Sequence, residues 1–300
     1  VVTFGGVGFD EAPFGFQPKP AFGVGGMRTG VGMSNSRDSS RVTTYNLKAD
    51  LTSQMNPFFQ LKTGFEYNLT DSKVNYAQFD EFLRSGNSNS RWEETPARGA
   101  AYAQGRLEFQ GMVANVGLRA TYFGPGGDWY VFDPFTPAFS AAGSGGIDTL
   151  LTQEPIDAQL DLSPRLGVSF PVTATSKLYF NYGHFRSLSD PNNLFLLRQS
   201  GETGQVTRIA APNSPLPKTV SYEIGYEQAL FGNYLVKAAG YYKDVALQSF
   251  LVEYISRDGS VNYDITEPNS FEDIRGFEFT FSKNRGEWIR GFANYTYMVY

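Results

Sequence analysis

Between Arg41 and Val299, apolar and polar residues alternate one by one in stretch after stretch. Tyr45, Leu47, Ala49 and Leu51 share one parity against Asn46, Lys48, Asp50 and Thr52, and Phe59, Leu61, Phe65, Tyr67 and Leu69 oppose Gln60, Lys62, Glu66 and Asn68. A period of two sends successive side chains to opposite faces, so each stretch predicts a strand with one apolar and one polar face. The pattern returns at 101–109 and 114–122, at 163–170 and 178–185, at 220–226 and 236–242, and at 277–281 and 293–299. Short turn signals join the members of each pair: Met55-Asn56-Pro57, Gln110-Gly111, residues 171–175, Phe231-Gly232-Asn233 and Arg285-Gly286-Glu287. Five hairpins are predicted. Several of their strands reach about ten residues, against about five or six in globular domains. A ten-residue strand rises about 33 Å, and tilted it covers a hydrocarbon band about 25 Å tall.

The connections between hairpins are long: residues 70–97, 124–162, 187–217 and 245–271. The last of these still alternates in part, and is expected to carry its strands beyond the membrane. Because antiparallel neighbours swap ends at each connection, all short turns lie at one end of the strands and all long loops at the other. Long structureless loops are uncommon in compact soluble domains, whereas outer-membrane barrels have short periplasmic turns and long extracellular loops. The faces point the same way. Arg106, Glu108, Arg119, Lys177, Glu223, Glu227, Lys237 and Glu278 all fall on the polar side. In a soluble all-β sandwich, the alternative fold, either these charges would be buried or the apolar faces would form an aggregating belt. A wet lumen and a lipid exterior satisfy both. Leu47, Phe65, Leu118, Val168, Phe180, Ile224 and Phe279 are therefore expected to face lipid, and Lys48, Glu66, Arg119, Glu223 and Glu278 the lumen. The expected fold is all-β, a transmembrane antiparallel up-and-down β-barrel.

Composition agrees and narrows the class. The 300 residues hold 26 Phe, 18 Tyr and 32 Gly but only 5 Met, a balance that favours strands and turns. No run is long and apolar enough for a membrane-spanning helix. A net charge of −5, with 25 basic and 30 acidic residues interspersed, leaves no electrostatic footprint for nucleic acid, and none is expected as a partner. The absence of cysteine rules out disulfides and thiolate metal sites. Residues 1–40, rich in Gly and Phe without periodicity, read as an extracellular loop unable to hold a regular ladder. Their glycines do not form a phosphate-binding fingerprint, since Arg28 and Glu11 stand where its third glycine belongs. Opening at Val1 and stopping within a strand-like run, the chain is expected to be part of a longer protein.

The ordered segments SPRLGVSF (163–170), LYFNYGHF (178–185), PKTVSYEIGYEQAL (217–230), AGYYKDV (239–245), IRGFEFTFSK (274–283) and GFANYTY (291–297) resemble the barrel of TonB-dependent outer-membrane receptors. AYAQGRLEF (101–109) and NVGLRATYF (115–123) resemble the hairpin that precedes them. The resemblance implies a barrel of about 22 strands, of which residues 41–300 would supply ten to twelve, about half. It also implies a plug domain, absent from this chain, through which a TonB-type energy-coupling protein drives uptake. The expected place is the outer membrane of a Gram-negative bacterium, with membrane lipid and a surface lipoprotein or other outer-membrane protein as further partners. The expected function is uptake of a scarce ligand such as a siderophore, oligosaccharide or peptide. The alternative is a structural or adhesive barrel whose long loops bind a partner.

Catalytic chemistry is not expected. His184 is the only histidine, so a histidine-based metal site lacks a second ligand. An outer-membrane lipase would place a serine two residues after its histidine, where this chain has Arg186, with Ser187 one place late. Asp80-Glu81 and Glu93-Glu94 read as solvated loop charge, and no cofactor is expected. Trp92, Trp129, Tyr130 and Phe132 are the candidate ligand-binding residues, because aromatic loop side chains can grip a ligand at a barrel mouth. Packing of the loops on one another is the alternative role for the same side chains.

Overall fold

The computed structural model describes residues 2–4, 7–9, 35–79, 88–140, 147–199, 205–283, 285–286 and 288–300. Ten long strands form its wall: β1 (Arg41–Asn56), β2 (Phe59–Phe79), β3 (Ala97–Phe109), β4 (Met112–Gly124), β5 (Gln159–Thr173), β6 (Ser176–Arg186), β7 (Lys218–Leu230), β8 (Tyr234–Ile255), β9 (Asn262–Lys283) and β10 (Gly291–Val299). Each strand is antiparallel to its neighbour in the chain, from β1 beside β2 to β9 beside β10. The sheet is open, with β1 and β10 at its two edges. All five expected hairpins are present. Gln110 and Gly111, with φ of 47° and 83°, make the positive-φ pair that a two-residue hairpin turn requires.

Register turns the alternation into two faces. Phe180, Ile224, Gly240, Phe277 and Tyr297 stand in one row across β6 to β10. Their face is apolar yet open: Phe65 is 46% exposed, Leu118 49%, Ile224 55% and Phe279 43%. In water such a surface would drive association, whereas in a bilayer it is the lipid contact. On the opposite face Glu227 lies between Lys177 at 3.0 Å and Lys237 at 3.2 Å, and Arg119 is 3.8 Å from Glu66. Tyr179 and Asn181 both donate to Glu223, at 3.1 and 3.2 Å. Lys48, Glu66, Arg119, Glu223 and Glu278 thus share the polar, lumen-facing parity.

Glycines on this polar face make room for rings. The Tyr179 ring lies over Gly225, its cross-strand partner, where a Cβ would run into it, and at Gly276 a Cβ would meet the Tyr297 carbonyl first and the Tyr241 ring next. Each ring thereby covers backbone that a side chain would otherwise protect.

The outer ends depart from the expected loops. The described parts of residues 70–97 are not irregular: β2 runs on to Phe79 and pairs with Ser88–Glu94 on one side and Asn35–Asp38 on the other. The ladder persists there because backbone pairing needs no lipid, while side chains in water need not alternate in polarity. The 124–162 connection holds a short hairpin, Asp128–Val131 with Thr152–Pro155, and the 187–217 connection a five-residue helix, Pro191–Phe195, and the paired strands Leu197–Gln199 and Val206–Ile209. Val2–Phe4 pairs with Val7–Phe9, so the expected lack of a ladder in residues 1–40 fails there. Residues 10–34 and Asp80-Glu81 lie outside the described residues. The 245–271 excursion is strand, as expected. β8 and β9 have 22 residues each, a rise of about 73 Å that carries their hairpin far past the hydrocarbon band. At its tip Ser256 Oγ and Ser260 N donate to Asp258, whose exposed carboxyl is held down at about 2 by these bonds.

Candidate functional site

The β6–β7 connection folds back over the polar face instead of standing off it. Arg186 ties down its base, pairing with Asp161 at 2.7 Å and donating to the Leu216 carbonyl at 2.8 Å. Gln159 at the start of β5 clamps the far end. Its Nε2 donates to Ser214 O at 2.8 Å and its Oε1 accepts from Leu216 N at 3.1 Å. The apolar run Leu194-Phe195-Leu196 has nowhere to go but inward. Leu194, Phe195 and Leu216 are buried together with Phe123 of β4, and Trp92 packs against them, its ring 6.5 Å from that of Phe195.

Between this folded loop and the outer halves of β1 and β2 lies a cavity of about 620 Å³. The strands contribute alternate, lumen-parity side chains, among them Thr44, Asn68, Thr70 and Ser72, while Trp92, Phe123, Leu194 and Phe195 form the apolar side. Charge enters through Asp38, Glu66, Asp190 and Arg98. Two buried donors in this lining, Trp92 Nε1 and Ser189 Oγ, have no hydrogen-bond partner among the described residues. Glu94, which pairs with the lining residue Ser72 across the ladder, has its carboxyl pushed up by burial and by the nearby Asp128.

The other three aromatic candidates are placed elsewhere. Trp129, Tyr130 and Phe132 pack against a second cluster built from Phe139, Ile147, Val206, Ile209, Val261 and Tyr263. Trp129 Nε1 donates to the Ala210 carbonyl at 3.0 Å, joining two loops, and the Phe132 ring meets Phe139 edge-on at 4.8 Å. Tyr130 donates its hydroxyl proton to Asp148. Burial first, then this bond, pushes its phenol up to about 12. Trp92 therefore lines the cavity while Trp129, Tyr130 and Phe132 stitch the loops together. Sequence reasoning missed Phe195, Leu194, Ser189 and Phe123. The legible signal was an apolar run inside an otherwise polar loop.

His184 lies on the lipid-side parity of β6, with Tyr182 Oη 2.7 Å from its Nε2. Glu93 is paired with Lys73 at 2.7 Å. No cluster of three metal-ligating side chains occurs among the described residues.

The family model described as "TonB dependent receptor-like, beta-barrel" matches residues 6–300. The chain belongs to this family. Among solved structures, the receptor barrel is similar to the hemophore receptor HasR of Serratia marcescens, solved with its hemophore HasA and heme. The TM-score is 0.61 at 15% identity, over 89% of this chain and 43% of that one. It is also similar to the ferric yersiniabactin uptake receptor FyuA of Yersinia pestis, with a TM-score of 0.59 at 12% identity, over 90% of this chain and 37% of that one. The outer-membrane transporter YddB of Escherichia coli gives 0.56 at 13%, over 86% and 33%. No curated protein matches by sequence. The chain spans less than half the length of these solved receptors, and at such identities the likeness shows the fold. The family is one of transport receptors in the outer membrane of Gram-negative bacteria.

Proposed function

We propose that this chain is barrel wall of an outer-membrane uptake receptor that captures a scarce external ligand in the cavity beneath the β6–β7 loop. Import draws its energy from an inner-membrane TonB-type partner acting through a plug domain. The observation that carries the reading is the inward fold of a long outer loop. It encloses a space of small-molecule size at the outer end of the polar face, where a ligand arriving from outside would first meet the lumen. The family supports transport as the activity, and the solved neighbours named for heme-carrier and ferric yersiniabactin uptake support import of a scarce nutrient. Trp92 is the one aromatic candidate that contributes to this space; Trp129, Tyr130 and Phe132 support it by fixing the loops.

Solute depletion tests this directly. Cells with and without the receptor gene are grown in the same complex medium, and the spent media are compared by mass spectrometry. The expected result is one class of solute removed only when the receptor is present and only while the proton gradient is intact. Identical depletion in both strains, combined with receptor-dependent adhesion to a surface or partner protein, would favour the structural reading instead.

A further inference from the structure

We infer that the cavity beneath the β6–β7 loop is built for a neutral or cationic, hydroxyl-rich ligand of the saccharide class and not for an anionic iron chelate. The inference rests on the uptake-receptor reading and specifies its substrate. Charge supplies the first argument. Three carboxylates, Asp38, Glu66 and Asp190, and one guanidinium, Arg98, stand in the lining, and Arg119, 3.8 Å from Glu66, is already paired with it. An anionic chelate entering this partly closed space would meet more carboxylates than cations in its walls, an imbalance that low dielectric strengthens.

The second argument is the division of the walls. One side, from β1 and β2, presents short uncharged polar groups at every second residue, including Thr44, Asn68, Thr70 and Ser72. The other presents the ring of Trp92, backed by the buried Phe195. A pyranose has the same division, with C–H groups on its faces and hydroxyls around its rim. Aromatic side chains take the faces, and hydroxyl and amide side chains take the rim.

The third is unsatisfied hydrogen bonding. Trp92 Nε1 and Ser189 Oγ are buried donors without partners among the described residues. Both are uncharged and suit a hydroxyl or ring oxygen. A site with such groups favours the ligand that completes them. The volume of about 620 Å³ lies within the range of small-ligand pockets, about 300–1,000 Å³.

The test is calorimetric titration of the full-length receptor in lipid nanodiscs. The probes are maltotetraose, cellotetraose and the cationic tetramer of glucosamine, set against hemin and a ferric tris-catecholate chelate. At least one tetrasaccharide is expected to bind, and neither chelate. Trp92→Ala should weaken that binding about two- to tenfold through lost stacking. Trp92→Phe, which keeps a ring but loses the N–H, should weaken it less. Ser189→Ala, a smaller change, gives a second reading if Trp92→Ala fails to fold. Chelate binding without saccharide binding overturns the saccharide inference and leaves the receptor reading standing. Saccharide binding indifferent to all three substitutions overturns the assignment to this cavity. Binding of none of the five probes overturns the saccharide inference, while solute depletion by the intact cells separately decides the receptor reading.

Discussion

At the scale of single residues, parity along a strand decides what a substitution costs. Phe279 and Glu278 are adjacent in β9, one on the exposed apolar face and one on the polar face. An arginine on the lipid face near mid-membrane costs about 2–4 kcal/mol, and far less toward a wet lumen. Phe279→Arg should therefore lower folding yield into lipid vesicles sharply, and Glu278→Arg only slightly. Equal yields, read from the shift of folded barrel on unheated gels, would contradict the assigned faces. Glycines divide in the same way. A Cβ on Gly225 would collide with the Tyr179 ring, while one on Gly240 meets nothing closer than 4.0 Å. Gly225→Ala should cost about 1–3 kcal/mol by overpacking, displacing the ring from its bond to Glu223, and Gly240→Ala should fall within about 0.5 kcal/mol. Urea titration of the folded barrel measures both. These ring-over-glycine pairs were not legible in the sequence, because they depend on which residues register brings side by side across strands.

At the scale of elements, hairpins and loops differ in how clearly the chain announces them. The wall strands were legible because lipid on one side and water on the other force strict alternation, as in Tyr222, Ile224 and Tyr226 against Ser221, Glu223 and Glu227. Outside the bilayer that constraint ends, and β2 continues from Asp71 to Phe79 with little polarity pattern to mark it. The loop aromatics show the remaining ambiguity. Trp92 and Trp129 are the same residue type in similar polar surroundings, yet one lines a cavity and the other bonds the Ala210 carbonyl. Only the long-range fold distinguishes them. The loop cluster around Tyr130 carries a pH signature. Its phenol, ordinarily near 10, is raised to about 12 in the folded loop. A raised pKa means that the associated stability is full below pH 10 and is lost as pH climbs from 10 to 12. Trp129 fluorescence should report loosening of this loop core in that window, and Tyr130→Phe should flatten the response. A wild-type profile unchanged through pH 12 would contradict the burial of Tyr130.

At the scale of the whole molecule, family, fold class and location were legible because they rest on repetition. Ten strands, short turns and long connections survive any error at a single position. The cavity was not legible, because its two walls are more than a hundred residues apart, with Thr44 and Asn68 on one and Leu194 and Phe195 on the other. The proposed uptake requires one orientation, with the hairpin tip near Asp258 outside the cell and the turn near Asn233 in the periplasm. These 300 residues contain no cysteine, so no thiol in this part of the wall competes with an introduced one, and the unsubstituted receptor gives the background. Intact cells carrying the full receptor with Asp258→Cys or Asn233→Cys are treated with a membrane-impermeant maleimide. Asp258→Cys should label on intact cells, and Asn233→Cys only after the outer membrane is broken. Labelling of Asn233→Cys alone on intact cells would invert the barrel and place the cavity on the wrong side for an external ligand.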